Sequence, residues 1–105
     1  MNIKELGYIQ LTMVLSKEDD GRWVGTCLEL GTSNYGNTIE EAEKHLEESV
    51  QLHLRTLEEL GESEKFFKEN NIKIYSSEQK EMNLNIKVNP GVFIKPQFHH
   101  LRHVS

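Results

Sequence analysis

Residues 36–61 read GNTIEEAEKHLEESVQLHLRTLEELG, and they spell one long helix with both of its ends marked. Thr38 is a good N-cap and Glu41 follows three residues later, so Thr38-Ile39-Glu40-Glu41 forms a capping box. Glu40, Glu41 and Glu43 bring negative charge to the positive end of the helix dipole. Gly61 can adopt the left-handed backbone that ends a helix. Between these ends Ile39, Ala42, Leu46, Val50, Leu54, Leu57 and Leu60 recur every three or four residues, which makes a single apolar stripe. Glu40, Lys44, Glu47, Gln51 and Glu58 fall on the other side. The helix predicted over Thr38–Leu60 is about 34 Å long. Its stripe has to be covered, so the rest of the chain is expected to pack on it.

Before the helix, Tyr8 to Lys17 alternates. Ile9, Leu11, Met13 and Leu15 share one side; Gln10, Thr12 and Ser16 share the other, broken only by Val14. A period of two marks a half-buried strand. Asp20-Gly21, between two strand-like runs, signals a hairpin. Arg22 to Leu30 is the second strand; its alternation is poorer and leaves its faces open. Gly25 in its middle marks a bulge or a close backbone approach. Gly31 to Asn37 is rich in turn residues and reads as a loop leading to the Thr38 cap.

After the helix, Ser63 is expected to cap a short helix that pins Phe66 and Phe67 to the core, and Asn70-Asn71 ends it. Ile72 to Tyr75 is a short strand, and the polar residues 76–81 follow. Asn83 to Asn89 alternates, with Leu84, Ile86 and Val88 on one side. Asn89-Pro90-Gly91 turns the chain into a last short strand, Val92 to Ile94, stopped by Pro96. The predicted fold class is therefore α+β: a hairpin, a long helix on one face of the sheet, a short helix and further strands. One domain spans residues 1–96, and residues 97–105 read as a C-terminal tail.

At 105 residues, with 36% hydrophobic and 28% charged residues, the composition is that of a single folded domain. No run of 18 apolar residues is present, so no transmembrane helix is expected. MNIKELGYIQ lacks the apolar core of a signal peptide. The lone Cys27 cannot form an internal disulfide and is expected to be a small buried strand residue. These features favour the cytoplasm. Charge is uneven: residues 1–61 hold 5 Lys/Arg against 12 Asp/Glu, and residues 62–105 hold 7 against 5. An acidic first half argues against direct nucleic-acid binding, which needs cations for the phosphates. It favours a basic partner or simply keeps a small protein soluble.

Asp20-Gly21, then Trp23-Val24-Gly25-Thr26-Cys27-Leu28-Glu29-Leu30-Gly31, then Gly36-Asn37-Thr38-Ile39-Glu40-Glu41-Ala42 opening a long helix form an ordered set. That set resembles the HicB-like antitoxin family over roughly residues 7–61, with Glu29-Leu30-Gly31 where the family more often carries a proline. The resemblance implies a partial ribonuclease-H-like fold. It also implies a partner, a small basic HicA-type toxin that cleaves mRNA and is blocked by the antitoxin. Family members often add a helix-turn-helix or ribbon-helix-helix module for operator binding. After Asn83 this chain offers strands and a tail, which argues against DNA binding.

Chemistry of its own is not expected, and neither is a cofactor or a resident metal. A nuclease would need several converging carboxylates, and Asp19, Asp20 and Glu29 are the acids near the hairpin. His45 is expected at the polar edge of the long helix and His53 near its stripe, partly buried with one hydrogen bond. His99, His100 and His103 spell H-H-x-x-H; a helical tail would put His99 and His103 on one face as metal ligands, while an irregular tail would not. The first reading is an interaction module whose Glu40, Glu43, Glu47 and Glu58 steer a basic partner. The rival is an orphan oligomeric domain without a toxin. An open sheet edge favours a homodimer, with Leu84, Ile86, Val88 and Phe93 at the interface.

Overall fold

Alternation makes the first strand the spine of the molecule. The computed structural model describes residues 7–75 and 86–101, with only the backbone given for residues 86–89 and His100. Strand β1 is Gly7–Lys17. Its Ile9, Leu11 and Met13 are fully buried and Leu15 is 2% exposed. Burial of each such side chain contributes about 1.5–3 kcal/mol. Tyr8, Gln10, Thr12, Val14 and Ser16 lie half-buried on the opposite face. A register slip of one residue would exchange the two sets, so the pattern fixes which face meets the core.

Strand β2, Trp23–Cys27, returns antiparallel, with Leu15 opposite Gly25 and Met13 opposite Cys27. The turn closes as its sequence requires: the Gly21 N–H donates to the Glu18 carbonyl at 3.0 Å, with Gly21 at φ +92°. β2 is shorter than the predicted Arg22–Leu30. Residues 28–31 form a turn, and the segment read as a loop contains a third strand, β3, Thr32–Gly36, antiparallel to β2. Turn-prone residues are tolerated there because pairing with β2 and packing against the helix outweigh their weak strand preference.

Helix α1 is Ile39–Glu59. The Glu41 N–H donates to Thr38 Oγ1 at 3.0 Å, and Glu41 Oε1 accepts the Asn37 N–H at 2.6 Å. The returning carboxylate thus caps the residue before the N-cap. At the other end Gly61, at φ +71°, donates to Glu58 and Glu62 donates to Leu57, which satisfies two orphan carbonyls. Ala42, Leu46 and Val50 are fully buried and Leu57 is 8% exposed. Leu60, the last residue of the predicted stripe, is the C-cap and is 65% exposed. α1 lies chiefly over β2 and β3. Gly25 is a point of close approach on β2: a Cβ there would stand 3.0 Å from Leu46 Cδ2.

Helix α2, Ser63–Glu69, buries Phe67 at 4% exposure and packs Phe66 beside the same core. Its N-cap is Glu62, and no side chain caps it, so Ser63 does not serve the expected role. Asn70 is its C-cap and Asn71 follows at φ +57°. Strand β4 is Ile74–Tyr75 and pairs with β1 at Tyr8 and Ile9. Strand β5 is Ile86–Asn89 and strand β6 is Val92–Leu101. The sheet runs β3-β2-β1-β6-β5, with β4 on the same edge of β1 as β2. All its pairings are antiparallel, so the fold is α+β, as its sequence pattern predicts.

β6 corrects two expectations. Residues 97–101 are not a tail but the second half of a strand that pairs with β1 from Ser16↔Val92 to Gly7↔Leu101. Pro96 does not stop it, for a geometric reason. Pro96 stands opposite Thr12, and Thr12 turns both of its main-chain groups the other way: its carbonyl accepts from Leu28 at 3.0 Å and its N–H donates to Glu29 Oε1 at 2.8 Å. Thr12 and Pro96 are a non-hydrogen-bonded pair, so the missing proline N–H costs the β1–β6 ladder nothing.

Candidate interaction surface

The glutamates expected to steer a partner sit at different depths. Glu40, Glu43 and Glu47 follow one another at three and four residues and so project from one flank of α1. Glu40 is exposed in the first turn and Glu47 is half-buried. Glu43 is not available: its carboxylate pairs with Lys95 Nζ of β6, both side chains being only about a quarter exposed (27% and 28%). The pair ties the helix to a strand it otherwise barely touches. Glu58, half-buried near the last turn, also interacts within the chain. Glu48 and Glu59 are exposed acids the sequence reading did not single out.

Of the residues expected at a dimer interface, Leu84 lies outside the described residues. Ile86 and Val88 belong to β5, which ends the strand order, opposite Ile94 and beside the bulge between Lys87 and Asn89. Phe93 is half-buried and has a neighbour within the chain, its ring centroid 6.1 Å from that of Trp23.

The acids of the hairpin do not converge. Asp20 Oδ1 accepts the Arg22 N–H at 3.0 Å and its Oδ2 pairs with Arg22 Nε at 2.9 Å. Hydrogen bonding to the Arg22 amide, reinforced by the guanidinium, holds this exposed carboxyl below the usual range. Glu29 lies five residues away along β1, about 17 Å by strand rise. There it does the work of a missing strand: one oxygen accepts the Thr12 N–H at 2.8 Å, the other the Thr12 hydroxyl at 2.8 Å. It lies between the ends of β2 and β4 and helps wall an open polar notch of about 290 Å³ with Gln10, Thr12, Asn71, Lys73 and Tyr75. Cys27 is buried with its Sγ 3.9 Å from Glu29 Oε1, and burial pushes its thiol up. Such a thiol is a packing residue. Among the described residues no three His, Cys, Asp or Glu side chains are grouped as a metal site.

The histidines divide by environment. His53 bonds Thr32 Oγ1 at 3.0 Å and leans on Phe66, the half-buried and singly bonded side chain expected. His45 Nδ1 lies 2.7 Å from the Tyr35 carbonyl. His99 is a strand residue opposite Ile9, 7% exposed, its Nε2 3.1 Å from Gln97 Oε1. Within β6 the helical arrangement that would align His99 with a ligand four residues on does not arise. His100 stands opposite Tyr8, and His103 lies outside the described residues.

Burial lowers the His99 imidazole from its ordinary 6.5. The unfolded chain therefore takes up a proton at a higher pH than the folded one. The stability contributed by a neutral His99 is fully present above pH 6.5 and is lost as pH falls through the folded value. We expect wild-type stability to fall more steeply than that of His99→Gln below neutral pH, by at most about 1.4 kcal/mol per pH unit. Urea unfolding between neutrality and mild acid measures the difference, and parallel pH curves for the two proteins would contradict it.

The fold and this surface define an α+β protein with an acid-rich helix laid on an antiparallel sheet. Comparison with protein-family models, with curated proteins and with solved structures finds no match. Among the described residues no helix is long and apolar enough to cross a membrane.

Proposed function

We propose that this chain is an antitoxin-like interaction module that binds and neutralises a small basic toxin of the HicA type, one that cleaves mRNA. The observation that carries the reading is the outer side of α1. The helix holds seven glutamates against Lys44 and Arg55, with Glu41, Glu43 and Glu58 engaged within the chain, while Ala42, Leu46, Val50 and Leu57 are buried on its inner side. Glu40 and Glu47 are the steering residues, and Glu43 supports the surface by fixing α1 to β6 through Lys95. The module works by occlusion, with no chemistry and no cofactor of its own, in the cytoplasm where mRNA is translated. We further propose that it acts as a homodimer closed through the β5 side of the sheet.

The test is capture from the native host with the tagged full chain, followed by an RNA-cleavage assay on whatever small basic protein is recovered. Cleavage that stops on adding the pure chain is the expected result. Association should slow by about tenfold or more as salt rises from tens to hundreds of millimolar. Glu40→Lys with Glu47→Lys should slow it likewise at low salt. A partner without ribonuclease activity, or an association rate indifferent to salt, would overturn the proposal.

A further inference from the structure

β3 is a terminal strand, and the outward main-chain groups of Tyr35 are already occupied. Thr12 directs its N–H and C=O to the β2 side, and directions alternate along an antiparallel ladder. Residues 24, 26 and 28 thus face β1, and residues 23, 25 and 27 face β3. Through the register Trp23↔Gly36, Gly25↔Asn34 and Cys27↔Thr32, the residues of β3 left pointing outward are Ser33 and Tyr35. A strand joining the sheet from this side needs the Tyr35 donor and acceptor. Neither is available. The Tyr35 N–H donates to Asn34 Oδ1 at 2.8 Å, and the Tyr35 carbonyl accepts from His45 Nδ1 at 2.7 Å. A carbonyl can only accept, so Nδ1 carries the hydrogen. Asn34 is itself held by α1: its Nδ2 donates to Ser49 Oγ at 2.8 Å and to the His45 carbonyl at 3.4 Å. Arg22, paired with Asp20, sits 4.8 Å from the centre of the Tyr35 ring and adds a charge beside the same edge.

We propose that Asn34 and His45 form a lock that denies β3 to any incoming strand, whether from a second copy of this chain or from a foreign segment. The lock is independent of the toxin reading, because it concerns the edge of the sheet and not the acidic flank of α1. It confines any strand addition to the opposite side of the sheet.

Two measurements test it. In hydrogen exchange on the unmodified protein, corrected for intrinsic rates, the Tyr35 amide should exchange roughly tenfold or more slowly than the Ser33 amide. Equal rates would overturn the lock. In sedimentation velocity, the double variant Asn34→Ala, His45→Ala should show concentration-dependent self-association beyond that of the parent. Adding Ser33→Pro, which removes an outward N–H and leaves the β2 ladder intact, should reverse it. A double variant that is folded by circular dichroism yet sediments like the parent at every concentration would also overturn the proposal. If the double variant does not fold, the exchange comparison decides alone.

Discussion

Gly36→Ala is expected to cost the fold about 3 kcal/mol or more, the upper end of what overpacking does. Gly36 ends β3, is buried, and lies under the first turn of α1. A Cβ added there would stand 2.3 Å from the Ala42 nitrogen, 2.7 Å from the Glu41 carbonyl carbon and 2.8 Å from the Ala42 Cα. These are backbone atoms of a helix, so no rotamer change relieves the collision. Either β3 must leave α1 or the helix start must move. The second course breaks the bonds that Glu41 makes to Thr38 and Asn37. For a domain whose whole stability is on the order of 5–15 kcal/mol, this is a large fraction. Urea unfolding followed by circular dichroism measures it. A variant within about 0.5 kcal/mol of the parent would mean that β3 and α1 do not meet as described.

The second large effect belongs to Leu46. Its side chain is fully buried in a cluster with Ile9, Leu11, Met13, Cys27, Leu30, Val50, Phe67 and Ile72, and it closes over Gly25. Leu46→Ala is expected to lose about 2–5 kcal/mol through lost burial and the cavity left behind. Leu52 lies six residues on in the same helix but is 60% exposed. Leu52→Ala should stay within about 0.5 kcal/mol of the parent. The same chemical change at two leucines of one helix thus reads out which face is inside. Equal losses at both positions would mean that the helix is rotated from the orientation seen, or that its outer face is covered in solution.

Much of this arrangement was legible in local pattern. Alternation at Ile9, Leu11, Met13 and Leu15 gave β1 and its inner face, and the spacing of Ala42, Leu46, Val50 and Leu57 gave the inner face of α1. Asp20-Gly21, Thr38 with Glu41, and Gly61 each mark an element end through a bond made within a few residues. Candidate surface residues were legible only as far as periodicity reaches. It put Glu40 and Glu47 on the outer flank, but it could not show that Lys95, 52 residues away from Glu43, takes that carboxylate. Glu29 left no signal either, because its role is to bond Thr12, 17 residues earlier in the chain.

Local sequence pattern was enough to set the ends of β1 and α1 and the side of each that turns inward. Capping, turn geometry and side-chain periodicity act between near neighbours, so the residues that write them also carry them out. Long-range pairing and packing made Thr32–Gly36 a strand, carried β6 through Pro96 to Leu101, and engaged Glu43. Each of those outcomes depends on a partner brought alongside by the closure of the sheet on β1. A residue such as Asn34 or Pro96 has no strand preference of its own to announce it.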